Sequence, residues 1–143
     1  MNFPIKSIQD LENISSSAKW QFFEKLVAFI FEENGFEAKQ NVIIKNESCK
    51  RQFDVIAKRF SVTYLVECKK WKSRREKSSA LKSAVAKHLE RCTLYESMNS
   101  GEFRPLIVTL LEENIDSHDG VLIVPTMKLN WVINNFESIE NHD

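Results

Sequence analysis

Gln52-Phe53-Asp54-Val55-Ile56-Ala57 sets an acid inside an apolar run, and Tyr64-Leu65-Val66-Glu67-Cys68-Lys69-Lys70-Trp71 does so again a few residues later. Both stretches have the β-branched and aromatic character of strands. Acids are poor strand residues and are rarely buried without a partner. Two such breaches in neighbouring strands point to function. If the intervening turn is centred between Phe60 and Ser61, residues whose numbers sum to 121 face each other, and Asp54 faces Glu67. Their Cβ atoms would then lie roughly 4.5 to 5.5 Å apart. Like charges so placed repel unless a cation lies between them. Mg²⁺ is such a cation, because it takes carboxylates, waters and phosphate oxygens as ligands. Lys69 is two residues beyond Glu67 and so faces the same way. An odd-length loop would put the acids on opposite faces. The turn also lacks the Asn-Gly or Asp-Gly chemistry that fixes the best two-residue hairpins.

Working outward, Trp20, Phe23, Val27, Ile30 and Phe31 recur at helical spacing and predict a helix over residues 17–34. Serines at 15–17 supply a cap, and Asn34-Gly35 a stop. Glu24 falls at one edge of that apolar stripe, from which an acid can reach a buried partner. A strand is expected over 36–45. A second helix is expected over 77–97, with Leu81, Ala84, Val85, His88, Leu89, Cys92 and Tyr95 on one face. Leu106 to Leu111 reads as a buried strand, Asp119-Gly120 as a turn, 121–124 as a short strand and 126–136 as a last helix. The order α-β-β-β-α-β-β-α predicts an α/β fold, a mixed β-sheet flanked by helices. Residues 1–16 read as a lead-in, with Ile5, Ile8, Leu11 and Ile14 spaced for a short helix, and 17–143 as one domain.

The bulk properties narrow the setting. At 143 residues with 43% hydrophobic content the chain is long enough for one core. No apolar run approaches a membrane span, and the first residues lack the pattern of a signal peptide. Three cysteines without a Cys-x-x-Cys pair argue against a disulfide framework or zinc ribbon, and fit a reducing cytoplasm. The net charge is zero but unevenly spread. From Lys69 to Cys92 nine basic residues stand against two acids, a net of +7; from Glu112 to Asp143 seven acids stand against one lysine, a net of −6. Such a split suits a polyanion on one side of the fold.

Taken together, the helix bearing Glu24 and ending Asn34-Gly35-Phe36, then Asp54-Val55-Ile56-Ala57, then Glu67-Cys68-Lys69, resembles the PD-(D/E)xK nuclease superfamily, the restriction-endonuclease-like enzymes. The resemblance is closest to Mrr-type restriction endonuclease domains and archaeal Holliday-junction-resolvase-like proteins. It covers residues 17–71, and the following helix and strand in order only. Phe53 stands where the nominal motif has proline. The resemblance implies a DNA endonuclease that hydrolyses phosphodiesters with one or two Mg²⁺ or Mn²⁺ ions, leaving a 5′-phosphate and a 3′-hydroxyl. The ions would be held by Asp54, Glu67 and the backbone carbonyl of Cys68, with Glu24 at or beside them. Lys69 would activate water or stabilise the transition state. Lys70, Lys72, Arg74 and Arg75 directly follow the motif and are candidate phosphate contacts. The alternative is a DNA-binding module or assembly subunit that keeps this fold without cutting. Asp116, His118 and Asp119 form a rival polar cluster, read as turn chemistry. His88 reads as a core histidine, and Cys68 as no nucleophile. Trp131, Ile133 and Phe136 suit either the core or a homodimer interface.

Overall fold

A computed structural model describes residues 16–140 apart from Lys72 and Glu112. The short helix expected within residues 1–14, the serine cap and the side chain of Lys72 lie outside the described residues. Helix α1 spans Ser16–Glu33, followed by strands β1 (Glu37–Lys45), β2 (Lys50–Arg59) and β3 (Val62–Lys69). Helix α2 (Arg74–Met98) leads to β4 (Glu102–Thr109), β5 (Asp116–His118) and β6 (Val121–Pro125). A 3-10 turn (Thr126–Lys128) opens into α3 (Leu129–Glu140). The six strands form one mixed sheet in the order β1-β2-β3-β4-β6-β5. The first three are antiparallel neighbours, β3, β4 and β6 run parallel, and β5 closes the edge antiparallel to β6.

Local chemistry explains the boundaries. α1 stops at Gly35, whose φ is +82°. The Phe36 amide donates to the Phe31 carbonyl and the Gly35 amide to that of Glu32, the paired bonds of a Schellman cap. The Phe31 and Phe36 rings meet edge-on across it at 5.5 Å. α2 begins three residues earlier than its apolar periodicity predicts, because Ser73 caps it. The Ser73 hydroxyl accepts from the Glu76 amide at 3.2 Å, and Ser-x-x-Glu is the capping-box pattern. β5 is an addition to the order read from the sequence. Asp119 and Gly120 both have positive φ, the primed geometry that turns a two-residue hairpin. This turn folds Asp116–His118 back onto β6.

The sheet is covered on both faces. α1 and α3 bury Phe23, Val27, Phe31, Leu129 and Val132 against Val55, Ala57, Tyr64, Val66, Leu106 and Val108. α2 covers the other face. Its Ala84 and Val85 pack near Trp71, Ile107 and Ile123, and its Cys92 and Tyr95 near Phe53, Ile56 and Leu65. β3 alternates cleanly: Tyr64, Val66 and Cys68 turn to the α1 face, while Leu65 turns to the α2 face. Trp71 is buried in this core, while Trp131 is half exposed on α3. α3 bends at Asn135, where the backbone leaves helical geometry, and Phe136 packs edge-on against Tyr64.

The β2–β3 hairpin has the even loop that its chemistry left open. Val55 pairs with Val66, Ile56 with Leu65 and Ala57 with Tyr64, so every pair sums to 121. The loop is Phe60-Ser61, and Phe60 sits at φ +56° with 99% of its surface exposed. A bulky residue there carries left-handed strain of about 1–2 kcal/mol with no burial to offset it. Phe60→Gly is therefore expected to raise stability by about 1 kcal/mol in urea titrations, glycine being the residue that such a turn favours first. An unchanged or lower midpoint would mean that the exposed ring stabilises the tip by a contact with its basic neighbours.

Candidate active site

The acids lie where the sheet loses its regularity. The β2–β3 ladder runs from Arg59–Val62 up to Val55–Val66 and stops one pair short of Asp54 and Glu67. At the same level β1 and β2 change faces. Ala38 and Val55 pack on the α1 side, yet Val42, Ile44 and Phe53, which regular alternation from them would place on that same side, pack on the α2 side. The switch falls on Asn41, held at φ +52°, and on Asp54 facing it. Asp54 is thus freed from the plain alternation. Its Oδ2 accepts the Cys68 amide at 2.8 Å, joining β2 to β3 where the ladder has ended. The expectation of a directly opposed acid pair needs this correction: the side chain of Asp54 is spent on the Cys68 backbone and on α1, while that of Glu67 reaches α2.

Glu24 projects from α1 toward Asp54 and is buried, 8% exposed. Burial first, then the charge of Asp54 and a hydrogen bond with it, pushes the Glu24 carboxyl up to about 7. Asp54 is also raised, chiefly by burial and further by Glu67, while the Cys68 amide opposes the rise. Each carboxyl therefore favours its protonated form more than a free carboxyl does. Glu24 occupies this place because Phe23 and Val27, flanking it on the helix, pack into the core and turn the edge of the stripe onto the sheet.

Glu67 is held from the other layer. Its Oε2 takes a hydrogen bond from Nη1 of Arg91 on α2, and the Lys69 ammonium lies 3.7 Å from Oε1. His88, one turn before Arg91, is fully buried. Its Nε2 stands 2.8 Å from the Leu65 carbonyl, which can only accept, so Nε2 carries the hydrogen. Nδ1 is the one buried side-chain nitrogen or oxygen without a hydrogen-bond partner among the described residues, and it faces Glu67 Oε2 at 3.8 Å. Burial draws the imidazole below its ordinary value, toward the neutral form. Cys68 turns its thiol into the α1-side core, where burial and the surrounding acids raise it far above the usual range. It is neither a thiolate nor a nucleophile. Sequence reading counted Arg91 only within a basic run and took His88 for core. The signal for Arg91 was the one that singled out Glu24: a charged residue at the margin of an apolar stripe.

The other candidates are dispersed. The Lys70 ammonium lies over the Trp20 ring at 5.0 Å, tying the end of β3 to α1. Arg74 pairs with Glu113 at 3.3 Å, and Arg75 is exposed. Lys77, buried on α2, pairs with Glu113 and lies 3.6 Å from Asp116, beside a surface pocket of about 350 Å³. Those charges satisfy one another. Asp116 lies in β5, and His118 is 3.5 Å from Asp119. Among the described residues no three His, Cys, Asp or Glu side chains form a ready metal cage, at this pocket or at Asp54. Among them, too, no helix is long and apolar enough to cross a membrane.

Comparison with known proteins agrees with this architecture. An uncharacterized protein of Archaeoglobus fulgidus is 29% identical over 117 residues, spanning 82% of this chain and 91% of that protein. The small subunit of the heterodimeric restriction endonuclease R.BspD6I shares the fold at 12% identity, with a TM-score of 0.57 over 92% of this chain and 75% of that one. A crystallised protein of unknown function is 28% identical, with a TM-score of 0.45 over 60% of this chain, which spans 44% of that protein's length. The restriction endonuclease family model Mrr_cat matches residues 15–105. That segment is well over half of the 143 residues and runs from the start of α1 into β4, and the chain belongs to the Mrr-type restriction endonuclease family.

Proposed function

We propose that the protein is a divalent-metal-dependent DNA endonuclease whose active site is built from Glu24, Asp54, Glu67 and Lys69. The observation that carries this reading is that Asp54, hydrogen-bonded to both Glu24 and the Cys68 amide, sits where the β2–β3 ladder ends, with the charge of Glu67 acting on it. The donors fit a hard cation. They are oxygens throughout, and the nearby Cys68 sulfur is kept as a buried thiol. Asp54 and Glu67 would hold the ion. A strand residue presents its N–H and C=O to the same side, so the Cys68 carbonyl faces the Asp54 side with its amide. Mg²⁺ needs only one or two carboxylates beyond water and phosphate oxygens, so the lack of a full protein cage does not count against it. When bound, such an ion polarises the phosphate and acidifies water.

The chain's own residues supply the rest. Glu24, hydrogen-bonded to Asp54, would stand beside the ion and orient or deprotonate the attacking water. Lys69 offers a fixed positive charge to the phosphate as negative charge develops. Lys70, Arg75 and, once released from Glu113, Arg74 would seat the DNA backbone, with Lys72 between them in sequence. The alternative of a DNA-binding subunit that does not cut draws on one observation: Glu67 is already neutralised by Arg91.

Cleavage assays on duplex, branched and single-stranded DNA separate the two readings. Wild type is expected to cut with Mg²⁺ or Mn²⁺ and to stop with EDTA. Asp54→Ala and Glu67→Ala should abolish cutting, and Lys69→Ala should slow it about a hundredfold. Retained DNA binding without cutting of any substrate would favour the binding subunit.

Stability should depend on pH through Glu24. Its folded value of about 7 lies above the ordinary 4.5, so the folded state binds the extra proton. This contribution is complete below the unfolded value and is lost as pH rises through 7. Without metal, the melting temperature should fall between pH 5 and 8, and Glu24→Gln should flatten that slope. Mg²⁺ should restore more stability at pH 8 than at pH 5. An equal slope in Glu24→Gln would remove Glu24 from the pair.

A further inference from the structure

Arg91 offers an inference that rests on the proposed metal site and goes beyond it. Glu67 is only 13% exposed, and its neutralising partners are Arg91 and Lys69. His88 cannot replace them, because its hydrogen is committed to Leu65 and its free Nδ1 is an acceptor facing an acceptor. The two halves of the acid cluster are therefore prepared differently. Asp54 is bonded to the neutral Cys68 amide and to Glu24. Glu67 is held by a guanidinium, which cannot lose its charge at any ordinary pH. Glu67 offers both carboxylate oxygens to a cation once the Arg91 side chain moves away from Oε2.

The surroundings give it a destination. The Arg91 side chain is partly open, 22% exposed. Lys87, one helical turn earlier, is exposed, as is Lys70 at the end of β3. Glu90, its neighbour, does not compete for it, being paired with Arg51 of β2. A phosphate diester presents a pair of anionic oxygens that the planar guanidinium fork matches, as a carboxylate does. We propose that Arg91 is an exchange residue: in the free protein it occupies Glu67, and on DNA binding it transfers to a backbone phosphate and releases Glu67 to the metal. Metal affinity is thereby coupled to DNA. The ion binds poorly to the empty enzyme and well to the complex. Linkage requires the same factor in the other direction, so the ion tightens DNA.

The test measures binding, with Ca²⁺ as the probe ion and a short DNA duplex, by calorimetry at fixed salt. In wild type, duplex should tighten Ca²⁺ on the order of tenfold, and Ca²⁺ should tighten duplex equally. In Arg91→Gln, Ca²⁺ should bind the DNA-free protein more tightly than in wild type. The coupling factor should fall toward one, and the salt dependence of duplex binding should lose about one phosphate contact. Arg91→Lys, which keeps the charge and is the milder change should glutamine fail to fold, should retain part of the coupling. A simple packing role for Arg91 predicts the opposite sign, weaker Ca²⁺ binding in both variants, and that result overturns the exchange. If Asp54→Ala abolishes Ca²⁺ binding while the Arg91 variants match wild type with and without DNA, the exchange fails and the metal site stands. If wild type binds no Ca²⁺ even on duplex, both fail together.

Discussion

The hydrogen bond from the Cys68 amide to Asp54 Oδ2 is the constraint on which the site depends. Two antiparallel strands normally satisfy their amides by pairing with each other. Here the pairing ends at Val55–Val66, and a buried amide beyond it would be left without an acceptor. Asp54 supplies one. The carboxylate thus joins β2 to β3 beyond the end of the ladder. The same bond lies at the level where the strand changes face. With Asp54 at the switch, Phe53 can pack under α2 while Val55 packs under α1, and neither strand has to bury an acid against an apolar layer.

Burial then sets the electrostatics. A carboxylate taken out of water without compensation is costly, and the protein meets that cost in two ways. On the α1 side Glu24 and Asp54 share a hydrogen bond, and burial raises both carboxyls. On the α2 side Arg91 and Lys69 neutralise Glu67. The acids thus lie where the two layers meet, so their geometry depends on how α1 and α2 both sit on β2 and β3.

Much of this was legible in the residues. Asp54, Glu67 and Lys69 stand out because apolar strands surround them, and the hairpin has the even loop that brings the two acids to one level. The Asn34-Gly35 stop and the stripe edge at Glu24 follow from helical periodicity alone. Three features were not legible, each for a physical reason. β5 is only Asp116-Ser117-His118, with no apolar alternation to mark it; the turn behind it makes it a strand. The face switch at Asn41 and Asp54 is a backbone event, decided by which helix claims Phe53 rather than by any local pattern. Arg91 and Glu67 are 24 residues apart, and only the parallel crossover through α2 joins them.

The hairpin tip at Phe60-Ser61 lies six strand positions from Asp54, about 20 Å away at 3.3 Å per residue. Its two residues do not share the same freedom. Ser61 is anchored: its carbonyl accepts the Glu102 amide at 2.8 Å, and the Gly101 backbone passes so near that a Cβ there would come within 2.7 Å of it. Phe60 is exposed on every side. The tip is therefore a permissive port with one fixed jamb. A dye, an affinity tag or a whole folded domain spliced at Phe60 would ride at the far end of the sheet from the acids, and the same splice one residue later would tear the seam between β3 and β4.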